Sequence, residues 1–269
     1  MEALELEGRQ LSYTDTGSGR PLVFVHGVGT SGQIWADDLA PLAADCRLIV
    51  YDRRGYGASS ASPRDWVEHR ADAEALIEAL SAAPAVLVGY SGGAMVALPL
   101  ALERPELVSS LVLLDPAFDL KHCRTAGLVK AVLGAQARRR LFGERRGAEH
   151  WMQYVGSYPT GGSAFEKTSP DRRERLLSNA SAVFDDYASS GADAIEMSRL
   201  AGIGVPVTLI EAALSPPFLR RSCRRLKQLL PQASTVTLEQ SGHWVGADAR
   251  AELLALLREA AEVDASPAS

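Results

Sequence analysis

The chain is poor in cysteine, in lysine and in long apolar runs, and each shortage excludes something. Its three cysteines, Cys46, Cys123 and Cys223, are far apart and odd in number. They offer neither a disulfide framework nor metal-ligand spacing, and predict buried thiols in a reducing compartment. No apolar run reaches bilayer-spanning length, so no membrane span is predicted. The opening residues, Met1-Glu2-Ala3-Leu4-Glu5, contain neither a basic nor an apolar stretch. No secretory leader is predicted from them, and a cytoplasmic location is expected. Only Lys121, Lys130, Lys167 and Lys227 among the 28 basic residues are lysine. With so much alanine, this is the codon bias of a GC-rich genome. Arginine runs such as Arg138-Arg139-Arg140 and Arg145-Arg146 are accordingly read as solvated helix faces. The net charge of -5 removes the electrostatic case for a nucleic-acid partner. Composition leaves monomer and homodimer equally open.

What remains is the profile of a globular enzyme, long enough at 269 residues for one large α/β domain or two small ones. Leu4 to Glu7 and Gln10 to Thr16 alternate apolar and polar around Gly8, as an antiparallel edge hairpin does. Short apolar runs follow at Leu22–Val25, Leu48–Tyr51, Ala85–Val88, Leu111–Leu114, Val207–Ile210 and Thr235–Leu238. They suit parallel strands buried on both faces. Helical patterns at about Gly32–Ala43, Arg64–Leu80 and Ala94–Glu103 alternate with the early ones. The fold class is therefore α/β, a doubly wound, mostly parallel sheet.

After Asp115 the rhythm breaks, for about ninety residues separate that strand from the next at Val207. A connection so long is exceptional. Its helical and aromatic content predicts a cap over one end of the sheet. The expected organisation is core 1–117, helical cap 118–202, core 203–263 and a frayed tail 264–269. Helices are expected at about Phe218–Leu230 and Ala247–Ala261.

Gly89-Tyr90-Ser91-Gly92-Gly93 carries the strongest chemical signal. Gly-x-Ser-x-Gly between a strand and a helix is a nucleophile elbow, whose tight turn holds a serine hydroxyl clear of the sheet at a helix N-terminus. Such a serine needs a base. His243, in Ser241-Gly242-His243-Trp244 just past the last strand, is the candidate. His26 ends a strand, His69 lies in a helix pattern, and His122 and His150 fall in the cap. Gly27-Val28-Gly29-Thr30-Ser31-Gly32, with Asp52 twenty residues on, also matches a dinucleotide fingerprint. The preceding hairpin, His26 and the serine elbow speak against that reading.

Four motifs in order resemble the α/β-hydrolase superfamily. They are His26-Gly27, Asp52-Arg53-Arg54-Gly55-Tyr56-Gly57, the Ser91 elbow and Gly242-His243. The resemblance runs from about Leu4 to Glu262. It implies an eight-stranded sheet under a helical cap inserted after strand 6, and an oxyanion hole formed by the backbone N–H groups of Val28 and Gly92. In most relatives the catalytic acid follows the strand after the cap, in a pattern like Pro-Val-x-Leu-Ile-x-Gly-x-x-Asp. Here that stretch reads Pro206-Val207-Thr208-Leu209-Ile210-Glu211-Ala212-Ala213-Leu214-Ser215, and serine fills the acid slot. Three possibilities remain. Asp115, after strand 6, matches the acid position of one subgroup of haloalkane dehalogenases and of zearalenone lactonases. Glu211 sits at the tip of the usual strand. Or the chain has no acid.

Tyr90, Phe118, Trp151, Tyr154, Tyr187 and Trp244 are candidate pocket residues. The expected activity is hydrolysis of a carboxylic ester or lactone with a hydrophobic body through an acyl-enzyme at Ser91, with no metal or cofactor. The same machinery within this superfamily also serves C–C bond hydrolysis, thioester cleavage and perhydrolysis. The vacant slot at Ser215 keeps a non-catalytic ligand receptor in view.

Overall fold

The edge hairpin and the apolar runs assemble into one eight-stranded sheet in order β1-β2-β4-β3-β5-β6-β7-β8. The computed structural model describes residues 1–63, 65–188 and 197–262. Arg64, the expected start of the second helix, residues 189–196 of the expected cap, and the expected tail 264–269 lie outside the described residues. β1 (Glu2–Leu6) and β2 (Arg9–Thr16) pair antiparallel with Leu4 opposite Leu11, around a left-handed Gly8. β2 continues antiparallel against β4 (Arg47–Tyr51). From there β3 (Pro21–Val25), β5 (Ala85–Tyr90), β6 (Val108–Leu114), β7 (Val207–Ala212) and β8 (Ser234–Leu238) run parallel. The fold class expected from the sequence is the one observed.

Side-chain alternation splits the core into two layers. Leu22, Phe24, Val86, Val88 and Ile210 pack toward α1 (Gly32–Leu39) and α11 (Arg250–Glu262). Val23, Val25, Leu87, Leu111 and Leu209 pack toward α2 (Trp66–Ala79), α3 (Ala94–Glu103) and α9 (Pro217–Leu229). A capping pair starts α2, with Asp65 accepting from the Glu68 N–H at 3.0 Å. The helix expected at Ala247–Ala261 is interrupted. A short α10 (Val245–Asp248) comes first, and α11 begins at Arg250.

Between β6 and β7 lie α4 (Ala126–Phe142), α5 (Glu144–Val155), α6 (Ala164–Lys167), α7 (Pro170–Leu177) and α8 (Ala180–Ala188). Their apolar faces form a third core with Trp151, Phe165, Val183 and Phe184, joined by Ile34 and Phe218 from below. Polar contacts fix this layer to the sheet. Arg172 of α7 grips Asp38 of α1 through both guanidinium arms, and Arg175 meets Asp37 at 2.7 Å. The Asn179 amide oxygen accepts from the Gly57 N–H at 3.0 Å.

The deepest tie is an ion pair. Arg53, in the loop after β4, is fully buried, and its guanidinium binds both oxygens of Asp186 on α8 at 3.1 and 2.6 Å. The Tyr56 hydroxyl donates to the same carboxylate at 2.6 Å. Losing one member of such a pair strands the other, at a cost of about 3–5 kcal/mol. The Arg53 charge holds the Asp186 carboxyl well below the usual carboxylate range despite burial. Two histidines complete the network. His26 accepts the Arg53 N–H on Nε2 at 2.9 Å, and His69 Nε2 lies 3.1 Å from an Arg53 nitrogen. His26 accepts a main-chain N–H and His69 faces the guanidinium itself, each as a neutral imidazole.

Burial, with the Arg53 charge next, pushes the pKa of His26 and His69 down. Below the ordinary histidine value of about 6.5 the unfolded chain therefore binds protons that the folded chain refuses. The stability that these imidazoles contribute is complete above that value and lost as the pH falls toward their folded-state pKa values. The thermal midpoint should drop between about pH 7 and 5, and His69→Gln should flatten the slope. Scanning calorimetry across that range checks this, and a flat wild-type profile would refute it.

Candidate active site

β5 ends in the elbow. Ser91 adopts φ 52°, in the left-handed region, and opens a single 3-10 turn that leads into α3. Flanking side chains would not fit. A Cβ on Gly89 would fall 2.8 Å from the Ala97 Cβ, and one on Gly93 would strike the Val25 carbonyl. The turn presents Ser91 Oγ to His243, whose Nε2 lies 3.0 Å away.

His243 Nδ1 lies 2.6 Å from Asp115 Oδ2. Asp115 follows β6, is completely buried, and has φ 40°. Ser215 donates its hydroxyl to Asp115 Oδ2 at 2.6 Å, and the Ala212 N–H donates to Oδ1 at 3.2 Å. The Cys223 thiol points at Oδ1 from 3.9 Å, its pKa pushed up by burial with the Asp115 and Glu211 charges adding. The serine in the usual acid slot is thus a hydrogen-bond donor to the carboxylate that reaches the histidine from the neighbouring strand. Glu211 makes no such contact. Alternation along β7 sends Ile210 and Ala212 to the α1/α11 face and Glu211 to the opposite one.

Tyr90 holds the imidazole from another side. Its ring stacks on that of His243, with centroids 5.0 Å apart and planes at 22°, and its hydroxyl donates to the His243 carbonyl at 2.9 Å. Burial lifts the Tyr90 phenol well above its ordinary pKa, which keeps it a donor. Trp35 of α1 packs on the far face of Tyr90 at 4.6 Å. The Gly242 N–H donates to Asp248 at 2.9 Å, which pins the histidine loop to α10.

Ser91 and His243 open into a cavity of about 190 Å³ between sheet and cap. Val28 and Gly92 line it at Ser91, and a Cβ on Gly92 would lie 3.5 Å from the Val28 nitrogen, so the two main chains run side by side there. Gly27 must lack a side chain, since a Cβ would lie 2.7 Å from that of Ser91. Of the expected pocket residues, Tyr90, Trp151, Tyr187 and Trp244 form part of the wall. Phe118 and Tyr154 do not. Phe118 turns under the sheet into the core of α3 and α9, its N–H held by Ser222 Oγ at 2.8 Å. Tyr154 falls off the stripe of α5 that carries Trp151, Met152 and Val155 inward, and stacks behind it on Phe218. Gly55 and Gly57 are left-handed turn residues and lie outside the wall. Asp52 closes the same loops by accepting from the Gly32 N–H at 2.7 Å and the Ala58 N–H at 3.3 Å.

Reading the sequence missed Ser215 as a partner of Asp115, and Trp35, Met152, Asp38 and Arg172 as wall residues. The available signal for Trp35 was its place in the first turn of the helix opening directly after Gly27-Val28. Every acidic or arginine side chain in the wall is already paired. Asp38 and Arg172 bind each other, and Asp186 is held by Arg53. Among the described residues no cluster of three potential metal ligands occurs.

The chain matches the model of the alpha/beta hydrolase fold family over residues 20–249. It is 31% identical over 245 residues to a protein of Klebsiella pneumoniae named as a carbamate hydrolase, RutD, covering 84% of this chain and 85% of that one. It is 43% identical over 117 residues to a Mycobacterium tuberculosis protein named as a non-heme bromoperoxidase, BpoC. That match spans 42% of this chain and only 45% of the relative's length. Among solved structures, Est816, described as an N-acyl homoserine lactone degrading enzyme, superposes with a TM-score of 0.78 at 22% identity, covering 96% of this chain and 99% of that one. The last is a likeness of fold.

The short Asp115 contact should give His243 Nδ1–H a strongly low-field proton resonance. Asp115→Asn should abolish it and Glu211→Gln should leave it in place. Tyr90→Leu, which removes both stacking and the hydroxyl, should broaden it by loosening the ring. Proton NMR of the resting protein decides this without reference to any substrate.

Proposed function

Because the chain belongs to the α/β-hydrolase fold family, we propose that it is a serine hydrolase cleaving a small, uncharged, hydrophobic carboxylic ester or lactone. The observation that carries the reading is the unbroken chain of contacts from Ser91 Oγ through His243 to Asp115, at 3.0 and 2.6 Å, opening on an apolar cavity.

In the proposed reaction Ser91 Oγ attacks the substrate carbonyl carbon while His243 Nε2 takes its proton. Asp115 fixes the imidazole with Nε2 toward Ser91 and stabilises the imidazolium. The Val28 and Gly92 N–H groups receive the charge that develops on the carbonyl oxygen. His243 returns the proton to the departing alkoxide, which leaves Ser91 acylated. A water then attacks the acyl group with His243 as base, releasing acid and free serine. The names of the relatives range over carbamate hydrolase, bromoperoxidase and lactone-degrading enzyme, and do not select the bond. The cavity supports the choice. At about 190 Å³, with wall charges already neutralised by protein partners, it favours a compact neutral substrate. The receptor alternative drew on the empty acid slot at Ser215, and the Asp115 contact removes that support.

Ser91→Ala should abolish hydrolysis of p-nitrophenyl esters with the fold intact. Asp115→Asn should lower kcat on the order of 10⁴-fold and Glu211→Gln by about tenfold or less, following the behaviour of serine-protease triads. More than a few per cent of residual turnover in Ser91→Ala would sink the covalent mechanism.

Substrate charge is tested separately. A free carboxylate in the cavity would lack a cationic partner, so a half-ester should be about 10²-fold poorer in kcat/KM than its neutral diester. Equal rates would refute the neutral-substrate reading.

A further inference from the structure

The outer face of the cap has a chemistry that the buried site does not use. Three of the five large hydrophobic side chains strongly exposed among the described residues stand on α4. They are Leu133 at 64%, Leu141 at 72% and Phe142 at 69% exposure. At 3.6 residues per turn, Ala126, Lys130, Leu133, Ala137, Arg140 and Leu141 share one side of that helix, and all are exposed. α4 carries Lys130, Arg138, Arg139 and Arg140 and no acidic residue, on a chain whose net charge is -5. Arg139, Arg145 and Arg146 are paired with Glu144, Glu174 and Glu149. Lys130, Arg138 and Arg140 have no carboxylate partner among the described residues, and Arg138 bonds only the Gly134 carbonyl, at 3.2 Å.

We propose that this face of the cap seats on an anionic phospholipid surface, with Leu133 and Leu141 inserted at the boundary of the acyl chains and headgroup phosphates against Lys130 and Arg140. Cations interleaved with protruding apolar side chains on one helix face are the pattern of an interfacial helix that lies in the membrane surface without crossing it. No helix among the described residues is long and apolar enough to cross. Charge argues against a second copy as the occupant. Two copies of this α4 face brought together would set Lys130 and Arg140 against their own kind, and α4 carries no carboxylate to separate them. Free phosphate would meet Lys130 and Arg140 yet leave Leu133 and Leu141 in water. The opposite side of α5 carries Trp151 and Met152 into the site, so lipid contact is made by the layer that roofs it.

The test is co-sedimentation of the full chain with vesicles of phosphatidylcholine alone, and with a third of it replaced by phosphatidylglycerol. Binding is expected only to the anionic vesicles, and should weaken as salt rises. Leu133→Ser with Leu141→Ser, and separately Lys130→Gln with Arg140→Gln, should each weaken partitioning by about tenfold while hydrolysis of a water-soluble ester is unchanged. Unchanged melting of the variants excludes misfolding as the cause. No sedimentation with anionic vesicles, or equal sedimentation of the variants, overturns the proposal. So does displacement by inorganic phosphate at low millimolar concentration, which would make the ligand a free anion. A dimer in sedimentation velocity that Leu141→Ser abolishes would assign the face to a second copy and equally overturn it.

Discussion

A carboxylate with no water around it organises one end of this molecule. Asp115 is wholly buried, and an isolated charge there would cost far more than the fold can supply. It is tolerated because four groups from separate elements converge on it: the His243 imidazole, the Ser215 hydroxyl, the Ala212 N–H and the Cys223 thiol. Those contacts fix the loops after β6, β7 and β8 and the face of α9 relative to one another. The loop after β7 is bound further to the loop after β8 by the Leu214 N–H to the Ser241 carbonyl at 2.9 Å. The histidine stands where it does because the carboxylate needs it there, as much as the reverse.

A second buried charge does the same at the other end of the cavity. Arg53 comes from the core and Asp186 from the cap, so neither layer is self-sufficient in charge. Their union closes the pocket with an apolar lining and leaves its wall neutral. The outer face of the same cap is cationic and apolar by turns. One helical layer thus shows different surfaces to the sheet and to the outside.

Most of the frame was legible from the sequence because it rests on local rules. Period-two alternation and short apolar runs located all eight strands, their C-terminal ends to within two residues and the start of β6 three residues late. The glycines around Ser91 announced a backbone that only a tight turn uses. The contacts of Asp115 were not local. Nothing in Leu114-Asp115-Pro116 distinguishes a turn-capping aspartate from one that crosses to another strand's histidine, and only the parallel register of β6 beside β7 brings Ser215 to it. The cap was the hardest to read. Its aromatic residues were visible, yet which of them face the cavity depends on the rotation of α5. A helix rotation of a few tens of degrees exchanges Tyr154 for Met152.

Ser91 and Asp115 share a left-handed backbone, φ 52° and 40°, which a side chain bearing Cβ adopts at a cost of about 1–2 kcal/mol each. Glycine would occupy either position without that cost, and would carry neither hydroxyl nor carboxylate. At Asp115 the four groups that converge on the carboxylate oppose that exchange, but at Ser91 nothing else in the fold depends on the hydroxyl apart from His243. Among neutral drift variants freed from any demand for activity, position 91 should be early to decay toward glycine, and the persistence of its serine in a lineage is a record of use.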